Sequence, residues 1–282
     1  MDAVRRFLFE DLNLRGALVQ LGPCWHEMQA RRDYAAPVRD LLGELAAVTA
    51  LIGSNLKSPG RLTFQLQGHG PVKLLVVDCD ERLRLRGLAK TREAVAPGPL
   101  PQLLGDGQLM LTLQTDNADQ PYQSFVPLEG DSMAAVFEHY LQSSEQTPTR
   151  LWLAAGERHA SGLFLQKLPG ADERDEDGWN RVQMLAQTLR ADELALPAET
   201  LLGRLFPEET LRLFDPLPVR YHCPRDEEKV LDMLRALDRD EIEEALAEQG
   251  GLAIHDDICQ HEYRFGPEVI ERLFSTDGRT LH

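Results

Sequence analysis

"RLTFQLQGHGPVKLLVVDC", Arg61 to Cys79, reads as two strands folded back on one another. Leu62, Phe64 and Leu66 alternate with Thr63 and Gln65, the two-residue period of a strand with one buried face. Gly68, Gly70 and Pro71 supply the turn. A helical period precedes this hairpin in "YAAPVRDLLGELAAVTALIGSNL", with Pro37 in the first turn and Val38, Leu41, Leu42 and Leu45 on one face. Strand patterns recur at "RGALVQL", "GQLMLTLQT", "YQSFVPLEG", "TRLWLAA" and "ASGLFLQKLPG". "DSMAAVFEHYLQ" reads as a helix capped by Asp131 or Ser132. Residues 1–170 therefore read as one mixed α/β domain, and the fold class expected for the chain is α+β.

Beyond it the texture changes. "ADERDEDG", Ala171 to Gly178, is a charge run without apolar periodicity and reads as a solvated linker. Val182, Leu185, Ala186 and Leu189 then form an apolar stripe. A second short helix carries Leu201, Leu202, Leu205 and Phe206 between Pro197 and Pro207. This helical linker spans 171–219. Its stripe reads either as plain core or as a surface covered in one state and offered to a partner in another. "FDPLPVRYHC" is an extended connector into a small α+β region, 220–282. There "DEEKVLDMLRAL" and "DRDEIEEALAEQ" read as helices, and "GLAIHDD" and "HEYRF" as strands.

The 282 residues are 43% hydrophobic and carry a net charge of −16. That charge argues against nucleic acid or an anionic membrane as partner, because phosphates demand a basic footprint. Charges at Arg5, Arg6, Glu10 and Asp11 interrupt the opening stretch, so no secretory signal is read there. The longest apolar run, Leu41 to Leu56, is broken by Glu44. Cys24, Cys79, Cys223 and Cys259 are too scattered for a secreted disulfide framework, and a reducing cytoplasm is expected.

Few stretches suggest chemistry. "GHGP" and "GDGQL" read as hairpin turns rather than phosphate-binding loops. No Gly-x-Ser-x-Gly elbow is present. Cys24 and Cys79 read as structural thiols, and Asp78 and Asp80 beside Cys79 would raise its pKa. "HDDICQHEYRF", His255 to Phe265, and "YHCPRDEEKV" around Cys223 look like two halves of a zinc knuckle with pieces missing.

"RFLFEDLNLRGALVQL", "LQGHGPVKLLVVDCDERLRLRG", "PYQSFVPLEGDSMAAVFEHYLQSSEQTPTRLWLAA", "GLFLQKLPG", "LLGRLFPEETLRLFDPLPVRYHC", "YRF" and "VIERLF" together resemble the Hsp33 family along nearly the whole chain. The resemblance implies an ATP-independent holdase chaperone that binds unfolding proteins and prevents their aggregation, with a homodimer in its active form. It also implies a C-terminal zinc site built from a Cys-x-Cys and a Cys-x-x-Cys pair, released when oxidation converts the thiols to disulfides. Carried over residue by residue, the first pair becomes Cys223 and Arg225, and the second Asp256 and Cys259.

One thiol of each pair is thus missing, local pairing of neighbouring thiols cannot operate, and the chaperone is expected to be constitutive or heat-gated, its redox switch lost or altered. The four positions of a tetrahedral site lie close together, so an Arg225–Asp256 ion pair and a Cys223–Cys259 disulfide are both geometrically allowed. The expected cofactor is none, with weak zinc binding through Cys223, Cys259 and His255 as the lesser alternative. The linker side chains Leu185, Leu189, Leu202, Leu205 and Phe206 are the expected client surface. The competing class is a thiol- or zinc-dependent enzyme, with Cys223 or Cys259 activated by His222, His255 or His261.

Overall fold

The computed structural model describes residues 2–274 apart from Arg31, Lys57, Glu93, Asp116, Asn117 and Asp119. The chain divides into two compact units, Met1–His222 and Cys223–His282.

The larger unit begins with β1 (Ala3–Phe9), β2 (Leu14–Leu21), α1 (Pro23–Gln29) and α2 (Ala36–Gly53). The expected hairpin is β3 (Gly60–Gln67) and β4 (Val72–Cys79), in register with Phe64 opposite Val77. β5 (Arg84–Thr91), α3 (Leu100–Leu104), β6 (Gln108–Thr115), β7 (Tyr122–Val126), α4 (Met133–Glu145), β8 (Thr149–Ala155) and β9 (Ala160–Lys167) follow. Ser132 caps α4, its hydroxyl accepting from the Ala135 amide at 3.2 Å. Two sheets result. One runs β10-β1-β2-β9-β8, where β10 is Leu211–Leu213, with β11 (Leu217–Pro218) also paired to β1. The other runs β12-β5-β4-β3-β6-β7, where β12 is Arg220–Tyr221.

α2 packs against strands of both sheets, which is why its Leu42, Leu45, Ala46, Ala47, Val48 and Ala50 are all fully buried. A helix clad on nearly every side loses the polar stripe of a surface helix.

Three expectations are corrected. The charge run at 171–178 is not a free linker: it folds into α5 (Ala171–Arg174) and leads into α6 (Gly178–Ala186). Arg181 ties it down, reaching Asp175 at 2.9 Å and Glu209 at 2.8 Å. Nor does 171–219 stand apart as a body of its own, because α6, a 3₁₀ turn (Ala191–Ala195) and α7 (Ala198–Leu205) pack on the first sheet within the larger unit. "GDGQL" is not a hairpin turn. Gly105 ends α3 with φ at +62°, where a side chain would be strained, and the chain then enters β6.

The small unit holds α8 (Glu227–Arg235), α9 (Arg239–Gln249), the antiparallel pair β13 (Leu252–Asp256) and β14 (His261–Phe265), and α10 (Val269–Phe274). Leu231, Leu234, Ile242, Leu246, Tyr263, Phe265, Val269 and Leu273 form its core.

Candidate functional site

Two places carry chemistry or recognition potential. The first is the helical cover on the sheet built around β1, β2 and β9. Strand periodicity sends Phe7, Phe9, Leu14, Leu18, Leu163 and Leu165 to one face of that sheet, where they meet Val182, Ala186, Leu194, Leu201, Leu202, Leu205 and Phe206. Leu202, Leu205 and Phe206 are 3%, 2% and 1% exposed, whereas Leu185 and Leu189 are half-buried at the margin. The Phe206 and Phe9 rings meet edge to face with centroids 5.0 Å apart.

Polar ties hold the rim. Gln20 donates to the carbonyls of Leu194 and Leu196 at 2.7 and 2.6 Å, and Arg5 pairs with Glu199. The Arg181 guanidinium beside Asp175 holds that carboxyl below its usual range. Each covering helix is only eight or nine residues long. Segments that short are not stable helices in water, so the cover keeps its structure through the face it buries.

The second place is the degenerate centre in the small unit. Cys223 and Cys259 are joined as a disulfide with Cα atoms 5.5 Å apart, inside the normal range. Cys259 sits in the β13–β14 turn. The Asp256 carboxylate accepts from the Ile258 and Cys259 amides at 2.9 and 3.2 Å, and so organises that turn. The expected Arg225–Asp256 ion pair is not formed. Instead Arg225 donates to the Glu262 carbonyl and lies over the Tyr263 ring, 5.0 Å from its centroid.

Tyr263, which the sequence reading overlooked, is the hub of this arrangement. It is buried, its hydroxyl accepts from the Asp226 amide at 2.9 Å, and Asp226 in turn caps α8 by accepting from the Lys229 amide. The only sequence signal for it was an aromatic residue two positions past His261, on the inward-facing parity of a short strand.

These donors do not fit a tetrahedral metal. Both sulfurs are committed to each other. His255 is exposed on β13 opposite Glu262, and strand alternation turns it to the face opposite that of Asp256. His261 donates through Nε2 to the Cys223 carbonyl at 2.9 Å. Among the described residues no three His, Cys, Asp or Glu side chains are placed to share a metal ion.

The enzyme reading gains nothing from the geometry. A disulfide leaves Cys223 and Cys259 no thiolate to act as nucleophile, and neither His222 nor His255 is bonded to either sulfur among the described contacts. Cys24 and Cys79 are buried free thiols. Burial, more than the neighbouring Asp80 and Asp78, pushes the Cys79 thiol up to about 12. Burial likewise raises Cys24. Both shifts disfavour the reactive anion.

Comparison with known proteins bears on the whole chain. The family described as "Hsp33 protein" matches residues 2–266. The 33 kDa chaperonin of Methylobacillus flagellatus is 41% identical over 279 residues, covering 98% of this chain and 95% of that protein. The 33 kDa chaperonin of Vibrio cholerae is 38% identical over 290 residues, covering 100% and 99%. The crystal structure of the 33 kDa chaperonin of Thermotoga maritima superposes with a TM-score of 0.82 at 20% identity, over 97% of this chain and 98% of that one, which speaks for the fold. The chain belongs to the Hsp33 family.

Proposed function

We propose that this chaperone holds unfolding proteins without ATP, on the apolar surface released when its helical cover lifts, and that heat rather than zinc ejection governs the release. The observation that carries the reading is the cover itself. Its short helices bury one continuous apolar face against β1, β2 and β9, so lifting it would expose both the sheet side and the linker side chains. Leu185, Leu189, Leu202, Leu205 and Phe206 are the linker residues assigned to clients. A surface of that kind takes unfolded chains by their apolar segments rather than by sequence. Family membership supports the binding of unfolding clients. We further propose a cytoplasmic location, consistent with the two free thiols, and a homodimer in the active state.

The regulatory half rests on the degenerate centre. A structural zinc contributes roughly 10–16 kcal/mol of apparent folding free energy to small zinc domains, whereas a core of this size supplies about 3–5 kcal/mol. With Arg225 and Asp256 occupied elsewhere, the small unit depends on its own small core and, when oxidised, on one disulfide. Reduction therefore leaves it marginal, and oxidation tightens it, the reverse of a thiol switch that opens on oxidation.

The test follows dye binding and suppression of client aggregation across temperature for reduced protein, oxidised protein and Cys223→Ser. Exposure should begin at lower temperature in the reduced protein and in Cys223→Ser than in the oxidised one. Strong activation by peroxide at constant low temperature would overturn the account.

A further inference from the structure

Glu44 breaks the apolar run of α2, and neither the cover nor the disulfide centre uses it. It is partly exposed, between the buried Gly43 and Leu45 of α2, beside a cavity of about 300 Å³. Trp152 forms part of the wall, with its neighbours on β8. Leu189, Arg190 and Leu194 of the linker form another part, and Ser132 at the start of α4 a third.

The charges around Glu44 are few. Asp40, one turn earlier on α2, is a like charge. From the linker side, the Arg190 guanidinium is largely exposed and engaged by Asp192 at 3.1 and 2.7 Å. The lining residues from β8 and the start of α4 are uncharged. No described residue donates a hydrogen bond to the Glu44 carboxyl.

A carboxylate to which no described residue donates, beside a cavity lined by leucine side chains, is complementary to one kind of ligand. The carboxylate takes an ammonium head, and the leucines accept an apolar body. We infer that this cavity binds a protonated primary amine carried on a small aromatic or aliphatic body. Its volume lies at the lower end for small-molecule sites, so the body is about the size of one aromatic side chain. Because the linker lines one wall, a bound amine would bridge α2 to the cover and oppose its lifting. That consequence rests on the proposed function; the binding does not.

The pH dependence follows from the same geometry. Burial, with Asp40 second, raises the Glu44 pKa to about 7. Below that pH the carboxyl is protonated and cannot pair with the ammonium; above it the carboxylate forms. A group half-titrated near pH 7 is about 9% ionised at pH 6 and about 91% at pH 8, so amine affinity should rise about tenfold between them.

The probes are 2-phenylethylamine and its neutral counterpart 2-phenylethanol. They are titrated into the full chain at pH 6 and pH 8 with calorimetry and tryptophan fluorescence as readouts. Expected are tighter binding of the amine at pH 8, a tenfold loss at pH 6, and pH-independent weak binding of the alcohol. Glu44→Gln should reduce the amine to the alcohol's affinity and abolish the pH dependence. That variant removes a carboxyl whose raised pKa costs stability from about pH 4.5 upward and in full above about pH 7, so it should fold at least as well at pH 8. Equal binding of the two compounds, affinity flat with pH, no effect of Glu44→Gln, or no binding at millimolar concentration would each overturn the inference. These readouts do not involve clients, so failure of the chaperone reading would leave them untouched. Delayed exposure of apolar surface on heating with the amine present would add the bridging consequence.

Discussion

The cover at 171–206 and the small unit at 223–274 are both built of short helices, yet they are held in different ways. The cover has no core of its own. Its apolar side chains insert against a sheet face that β1, β2 and β9 have already assembled, and a few polar ties fasten its rim. The small unit must make its own core from helices and one hairpin, and it adds a covalent staple between Cys223 and Cys259. A surface that leans on a rigid neighbour can detach in one step and leave that neighbour folded. A self-contained small core instead melts as a whole, at a temperature set by its crosslink.

The largest effect should come from the cover. Leu202→Ala together with Leu205→Ala removes two nearly fully buried side chains, and each such truncation costs about 2–5 kcal/mol. Hydrogen exchange should show 178–206 losing protection at room temperature while β3 and β4 stay protected. If the whole larger unit melts together, the cover is ordinary core and the contrast disappears. By comparison, Leu185→Asp with Leu189→Asp touches only half-buried positions. It should weaken client protection severalfold with little change in melting temperature.

The staple comes next. The bond closes a loop with a sequence separation of 36, worth about 4 kcal/mol by loop-closure entropy. Reduction should lower the melting temperature of the small unit and leave the transition of the larger unit in place. Equal melting of oxidised and reduced protein would mean that the core alone sustains the unit.

A smaller effect is expected at the hub. Tyr263→Phe keeps the ring under Arg225 but takes the acceptor from the Asp226 amide, a loss of about 1 kcal/mol. Urea unfolding of the oxidised protein measures it, and a null result would demote Tyr263 to a space-filler. The least change should follow metal depletion. Protein purified under reducing conditions should carry zinc well below one per chain, and a mild chelator should not shift either melting transition. Stoichiometric, tightly held zinc would show that the donors rearrange around an ion on reduction.

Sequence alone determined much of this. The alternation in Arg61–Cys79, the helical period after Pro37 and the changed texture after residue 170 are local signals, and they give the elements because strand and helix periods are set by backbone geometry. That Arg225 and Asp256 stand where the resembled family implies thiols was legible only through that resemblance, not from any period in the chain. β1 carries no clean strand signal: Arg5 and Arg6 interrupt its alternation, and both its faces are partly covered, one of them by the distant linker. The charge run at 171–178 misled because its fate depends on Arg181 meeting Asp175 and Glu209, the latter 28 residues further along the chain.

What only the tertiary structure decided was which partner each polar group takes. Arg225 found a carbonyl and an aromatic face rather than Asp256, Asp256 found amides in its own turn, and Glu44 found a cavity. Hydrogen bonds and ion pairs depend on distances of a few tenths of an ångström between residues far apart in the chain, and no periodicity in the sequence encodes those distances.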